Sequence, residues 1–274
     1  MARSLGDFGR LVLDQDFSDS SIISLDQNWA LPEMVFPLEN GSIAGEFKDL
    51  RSCFNLNALA EKDDGDTRAR PVQQFENLLI EIGVNDYSAE MIAESSRDWI
   101  DSDDQSDVAL GAEDSIYQAR GVPHLSADNY MVDITELRAV QGVGQKVFER
   151  IAPYLCAIPS AEQKINVNTV AVEQAAILYV IFKDSFSLTV DDFTELLEDR
   201  PVSGWSSVDD FLASSIFDGS TVSSDISNEL SVTSEFFQLN AIAEFEDRIN
   251  ALQVLFQIND KKATVIRYQS GGFK

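Results

Sequence analysis

The chain has 274 residues, and 47 Asp and Glu against 20 Lys and Arg give it a formal net charge of −27. Such a balance repels nucleic-acid phosphates and anionic lipid headgroups, and it favours cations or basic partners. With 44% hydrophobic residues the chain is long enough for two domains with separate cores, and no run reaches the roughly 18–20 apolar residues of a membrane span.

The start, Met1-Ala-Arg-Ser-Leu-Gly-Asp, has no secretory signal pattern and leads straight into an amphipathic segment. Leu5, Phe8, Leu11 and Val12 make one apolar stripe and predict a helix over 4–16, with no cap ahead of it, as though the chain began in mid-helix. After a polar segment and Asn28-Trp29-Ala30-Leu31-Pro32, residues 34–38 and 42–49 read as two strands around a turn at Glu39-Asn40-Gly41. Residues 61–70 form a charged linker, beyond which apolar spacing predicts helices over 72–82, ending at Gly83, and over 89–100.

The second of these helices delivers the chain to an acidic stretch. Asp98, Asp101, Asp103, Asp104, Asp107, Glu113 and Asp114 have no Lys or Arg among them. Trp99, Ile100, Val108, Leu110, Ala112, Ile116 and Tyr117 interleave the acids and anchor the loop to a core. An anchored loop of carboxylates suits a hard cation such as calcium, which takes six to eight oxygen ligands. The spacing is not that of an EF-hand: Gln105 follows Asp101-x-Asp103, Ser106 replaces the turn glycine, and Ala112 stands where the bidentate Glu belongs. Two readings stand at this point, an irregular calcium site and a solvated acidic loop. Catalytic carboxylates are not indicated, because nothing selects one pair from seven.

Downstream, residues 134–155 predict two apolar helices joined by Gln141-Gly142-Val143-Gly144, resembling a helix–hairpin–helix. The only basic residues beside it are Arg138, Lys146 and Arg150, so a structural module is expected rather than a nucleic-acid grip. Ile165-Asn166-Val167-Asn168-Thr169 echoes Phe54-Asn55-Leu56-Asn57. These are expected to be two short extended segments lying side by side, with their Asn amides bonded to local backbone. Helices follow over 173–182, 190–197 and 208–216, with Trp205 as a core or docking residue, then a Ser/Asp/Gly-rich loop over 217–231. Strands are expected over 234–245, 249–258 and 263–268, the last two joined as a hairpin by Asn259-Asp260-Lys261-Lys262. The layout predicts an α+β domain from 1–60 and 232–274, with a helical domain, 61–231, inserted into it. Cys53 and Cys156 share no metal-type spacing. They are either a disulfide closing a loop of about 100 residues, worth ~4.7 kcal/mol in the chain-entropy model, or two unrelated buried thiols.

An ordered set of stretches resembles the K-type minor pseudopilins of type II secretion systems over nearly the whole chain. These are Asp26 to Ala30, Gly45 to Asn57, Asp98 to Asp103, Gly111 to Asp114 with Tyr117, Glu136-Leu137 to Gly142, Pro159, and Ile165 to Thr169. The resemblance implies an α+β pseudopilin fold, an N-terminal helix packed on an antiparallel sheet, with a large inserted all-helical domain. It implies a structural protein, not an enzyme, that caps the pseudopilus tip by assembling with I- and J-type minor pseudopilins and so supports export across the outer membrane. Exported substrates are a further candidate partner, nucleic acid is not, and the stripe of Leu5, Phe8, Leu11 and Val12 is the expected partner interface. Members carry a hydrophobic N-terminal anchor in the inner membrane; without it, this sequence would be the periplasmic domain. The family's calcium site, carried onto this chain, gives Asp101, Asp103, Asp107, Glu113 and Asp114 as ligands. His124 stands where the family more often has an aromatic residue and is taken as structural. A calcium-dependent binding module and a hairpin nucleic-acid binder are the alternatives, the second disfavoured by charge.

Overall fold

The computed structural model describes residues 2–32, 34–38, 41–61, 68–106, 109–217, 220–245 and 248–271. In chain order these form helix α1 (Ala2–Asp19), strands β1 (Met34–Leu38), β2 (Gly41–Asp49) and β3 (Phe54–Asn55), and helices α2 (Arg70–Glu81), α3 (Asp86–Ile100), α4 (Asp114–Gln118) and α5 (Gln145–Ile151). Strands β4 (Leu155–Cys156) and β5 (Ile165–Asn166) precede helices α6 (Ala176–Phe182), α7 (Val190–Glu198), α8 (Val208–Leu212) and α9 (Ser224–Asn228). Strands β6 (Leu230–Ser231), β7 (Phe236–Phe245), β8 (Arg248–Asn259) and β9 (Lys262–Ser270) complete the chain. It divides into two compact units: residues 1–52, 166–170 and 198–274, and residues 53–165 with 171–197.

These units part at different residues from the expected 61 and 231. Leu56 and Leu59 are fully buried in the core of the second unit, so the chain enters that unit before the charged linker. Trp205 is held to Asn168 and packs on Phe211, ring centroids 5.0 Å apart, which keeps α8 with the first unit. The expected loop over 217–231 contains α9 and β6, α9 being started by the Ser223 side chain, which accepts from Ile226 N–H.

In the first unit β1-β2-β7-β8-β9 form one antiparallel sheet. Along β7 the period-2 alternation buries Phe237, Leu239, Ala241 and Ala243 and exposes Ile242. Against that buried face α1 lays Leu5, Leu13 and Phe17. The approach is close because two glycines face the sheet. A Cβ on Gly9 would lie 2.5 Å from Phe256 Cζ, and one on Gly6 2.2 Å from Tyr268 Oη. Near the end of α1 the buried Asp16 carboxylate accepts from Trp29 N–H at 2.8 Å and Asn28 Nδ2 at 2.6 Å, seating the Trp29 ring 5.2 Å from Phe237. Asn259 and Lys262 close the expected β8–β9 hairpin. Asp260 and Lys261 both have positive φ, 49° and 62°, as a two-residue turn matching the sheet's twist requires.

In the second unit Pro71 opens α2, and Gly83, at φ 88°, ends it. Val72, Phe75, Leu78 and Leu79 meet Ala89, Ile92 and Ala93 of α3 in one core. Cys53 and Cys156 are joined there, Cα atoms 5.7 Å apart. The unit is not purely helical, since β3 pairs in parallel with β4.

The two Asn-bearing segments do not lie side by side: β3 pairs with β4, and β5 with β6. Each nevertheless uses its amides on backbone. Asn57 accepts from Met131 N–H and donates to the Met131 and Ile158 carbonyls, and Asn168 makes the same two-way bond to Trp205. The hairpin over 134–155 also differs from expectation, its first arm being a short 3-10 helix, Ile134–Ala139, opened by an Asp133/Glu136 capping box.

Candidate functional site

The acidic stretch is folded around the end of α3. Asp98 and Asp101 sit three residues apart, so one helical turn places both carboxylates on the same side. After the loop the chain returns through Gly111, Ala112 and Glu113, and Ala112 and Tyr117 are fully buried. Tyr117 packs edge-on against Trp99, ring centroids 5.2 Å apart, and its hydroxyl accepts from Gln141 N–H. Those anchors bring Glu113 back onto the helix end. Asp98, Asp101 and Glu113 each place a carboxylate oxygen within 4.8 Å of the others. Gly111 is required for this approach, because a Cβ there would stand 2.0 Å from Asp98 Oδ2.

Asp98 and Glu113 are buried and Asp101 is half-buried. Ser106 Oγ donates to Asp98 Oδ2 at 3.0 Å, and Ser126 Oγ donates to Glu113 Oε2 at 3.3 Å. Glu113 Oε1 is buried and takes no hydrogen bond among the described residues. Burial first, and then the neighbouring Asp98 and Asp101 carboxylates, push the Glu113 carboxyl up to about 8. The group also stands at a helix C-terminus, whose partial negative charge opposes further anions. Three carboxylates are thus held in reach of one another at one helix end.

Of the ligands expected from sequence, Asp101 and Glu113 belong to this cluster. Asp103 does not: it is exposed and its Oδ1 accepts from Gln105 N–H in a local turn. Asp114 does not either, since its Oδ1 accepts from both the N–H and Oγ of Ser126. Asp107 lies outside the described residues. Asp98, which the resemblance does not put among the ligands, joins the cluster as well, and its i, i+3 spacing to Asp101 at a helix end is the signal for it.

The α1 stripe divides between two surfaces. Leu5 is 3% exposed and belongs to the unit's own core, which corrects its place in the expected interface. Leu11 is 64% exposed. With the half-buried Phe8 and Val12, and with Leu31, Met34 and Val35, it lines an apolar groove of about 560 Å³.

Two family models described as type II secretion system (T2SS), protein K match residues 52–160 and 165–233. The chain is 37% identical to the type II secretion system protein K of Aeromonas hydrophila, across 95% of this chain and 81% of that one. It is 32% identical to the protein of the same name from Pectobacterium carotovorum subsp. carotovorum, across 90% of this chain and 76% of that one. Among solved structures it resembles a chain of the crystallised GspK-GspI-GspJ complex from the enterotoxigenic Escherichia coli type 2 secretion system. That match has a TM-score of 0.89 and 33% identity, and covers 99% of this chain and 94% of that chain.

Proposed function

The chain belongs to the type II secretion system protein K family, with a minor pseudopilin's role in secretion, and from that membership we propose that it caps a pseudopilus tip by docking on I- and J-type minor pseudopilins. The observation that carries the docking is the apolar groove on α1. A helix face with Phe8, Leu11 and Val12 beside Leu31 and Val35 is what a partner helix needs in order to bury its own apolar stripe. The test is co-purification with the I- and J-type proteins: Leu11→Asp with Val12→Asp abolishes recovery of the complex, and undiminished recovery sinks the reading.

The proposal includes calcium as a structural clamp. Asp98, Asp101 and Glu113 supply only hard oxygen donors, and the buried Glu113 oxygen without a hydrogen bond fits a cation better than it fits a closed protein network. A bound calcium would supply positive charge that relieves the repulsion among the three. The remainder of its six to eight ligands would come from backbone oxygens and water. Asp98 and Asp101 would tie the end of α3 to Glu113, fixing the loop between them.

The role is structural rather than catalytic. His124 points its Nδ1 at the Val122 carbonyl and packs 5.1 Å from the Tyr117 ring, an arrangement that supports a packing role. Nor does the hairpin favour nucleic acid. Arg138 stacks on Phe148, and Arg150 donates to the Ile82 and Gly83 carbonyls, so two of its three cations are directed at the protein itself. The Cys53–Cys156 disulfide agrees with an oxidising compartment, and we assign the chain to the periplasmic side of the inner membrane, where its family's anchor would hold it.

A further inference from the structure

Beside the cation cluster the second unit holds a cavity of about 590 Å³ whose chemistry neither docking in the groove nor calcium accounts for. Leu59 and Ile100, both buried, line it together with Tyr130, which is 39% exposed. Glu61, Asp103 and Asp128, all exposed, line it too. Arg97, the one cation lining it, is buried and acts on Glu94. The volume is in the range of roughly 300–1,000 Å³ that ligand pockets occupy.

The acids exclude an anionic guest, and an uncharged apolar guest would gain nothing from them. A bare divalent ion would use the oxygens and leave Leu59 and Ile100 idle. A long cationic side chain matches both parts. Its methylene stem can cover the apolar side chains, its charged head can reach the carboxylates, and an aromatic ring such as Tyr130 attracts the same charge. Arginine fits best, because its planar fork bonds two carboxylate oxygens at once. We propose that this cavity is a docking pocket for an arginine or lysine side chain presented, between apolar neighbours, by a partner polypeptide. Asp101 lines both this cavity and the cation cluster. A cation held by Asp98, Asp101 and Glu113 therefore leaves Asp103 and Asp128 to meet the guest. The inference goes beyond the capping role and does not depend on it.

The test is amide NMR of the whole chain titrated with the blocked peptide acetyl-Leu-Arg-Leu-amide, in excess chelator and then in millimolar calcium. Its uncharged control has citrulline in place of arginine. The expected result is shifts centred on 59–61, 100–103 and 128–130 in both conditions, and at least tenfold weaker binding by the citrulline peptide. Asp103→Asn with Asp128→Asn should weaken the arginine peptide by a similar factor; both side chains are exposed, so the fold survives the change. Equal binding of the citrulline peptide overturns the proposal, as do shifts scattered elsewhere or none at millimolar peptide. Complete loss of the peptide shifts in calcium, with calcium alone moving the Asp103 and Asp128 amides, would make the cavity a divalent-ion site and overturn it too. The capping role is tested at Leu11 and Val12, in the other unit, so the two can fail separately.

Discussion

Replacing Glu113 by Gln should raise stability in chelator and lower it in calcium, a reversal that few structural roles would produce. The Glu113 carboxyl is pushed from the ordinary glutamate value of 4.5 to about 8, by burial and then by Asp98 and Asp101. A raised acid binds its proton more tightly in the folded state, so the stability this one group contributes is full below about pH 4.5, falls as the pH rises, and is gone above about 8. Each tenfold in proton affinity is ~1.4 kcal/mol, which sets a ceiling of roughly 5 kcal/mol. Water reaching the half-buried Asp101 screens much of the repulsion, leaving on the order of 2 kcal/mol. For a domain of ~150–250 residues that is a shift of about 4–8 °C. Gln keeps the shape and cannot ionise. Thermal unfolding followed by circular dichroism in chelator should therefore show Glu113→Gln melting about 4–8 °C above the parent near pH 8.5 and level with it near pH 5. In calcium the parent should gain about 2.7 kcal/mol at 100 times the dissociation constant, and the variant, lacking one ligand, much less. A variant no more stable than the parent near pH 8.5 in chelator would refute the crowding of the three carboxylates. An equal calcium gain in both would move the ion elsewhere.

Reduction of the Cys53–Cys156 bond, which spans 103 residues, should cost the second unit about 4.7 kcal/mol in the chain-entropy model, read from denaturant midpoints with and without reductant. A loss below about 1 kcal/mol would mean that the reduced chain is already ordered there. Gly9→Val should lift α1 from the sheet, since its Cβ would start 2.5 Å from Phe256 Cζ; we expect a loss of about 1–3 kcal/mol, checked by the melt of the first unit. Leu5→Asp, which buries a charge in the core, should unfold that unit outright, whereas Leu11→Asp on the exposed groove should change its stability by less than about 0.5 kcal/mol. Equal damage from the two would contradict the division of the stripe.

Local features of the sequence carried most of the elements. The apolar spacing of Val72, Phe75, Leu78 and Leu79 marks α2, the alternation along β7 marks a half-buried strand, and Asn259 to Lys262 marks a hairpin. What could not be read locally was which partner each piece would choose. Asn55 and Asn166 sit in near-identical settings, yet β3 joins β4 and β5 joins β6, because a two-residue strand has no register strong enough to select its neighbour. The charged run after Glu61 looked like a domain boundary because charge and glycine punctuate a chain locally. The true division follows the core that Leu56 and Leu59 enter. Among the acids, the stretch was legible and the carboxylates that meet were not. Asp98 belongs to α3 rather than to the loop, and its meeting with Glu113 depends on Gly111 allowing the returning chain to pass.

The stripe on α1 shows the same limit, together with the signal that could have overcome it. At ~100° per residue, Leu5, Gly9, Leu13, Gly6 and Phe17 fall within an arc of about 120°, while Phe8, Leu11 and Val12 fall within the next arc of about 100°. Apolarity alone merges the two arcs, since Leu5 and Val12 sit only about 20° apart. The glycines separate them. A helix can bring its backbone onto a sheet only along a side without bulky Cβ substituents, and Gly6 and Gly9 lie on the side of Leu5 and Leu13 and not on that of Leu11. The face with the glycines is therefore committed to Phe256 and Tyr268 within the unit, and the face without them stays open at Leu11.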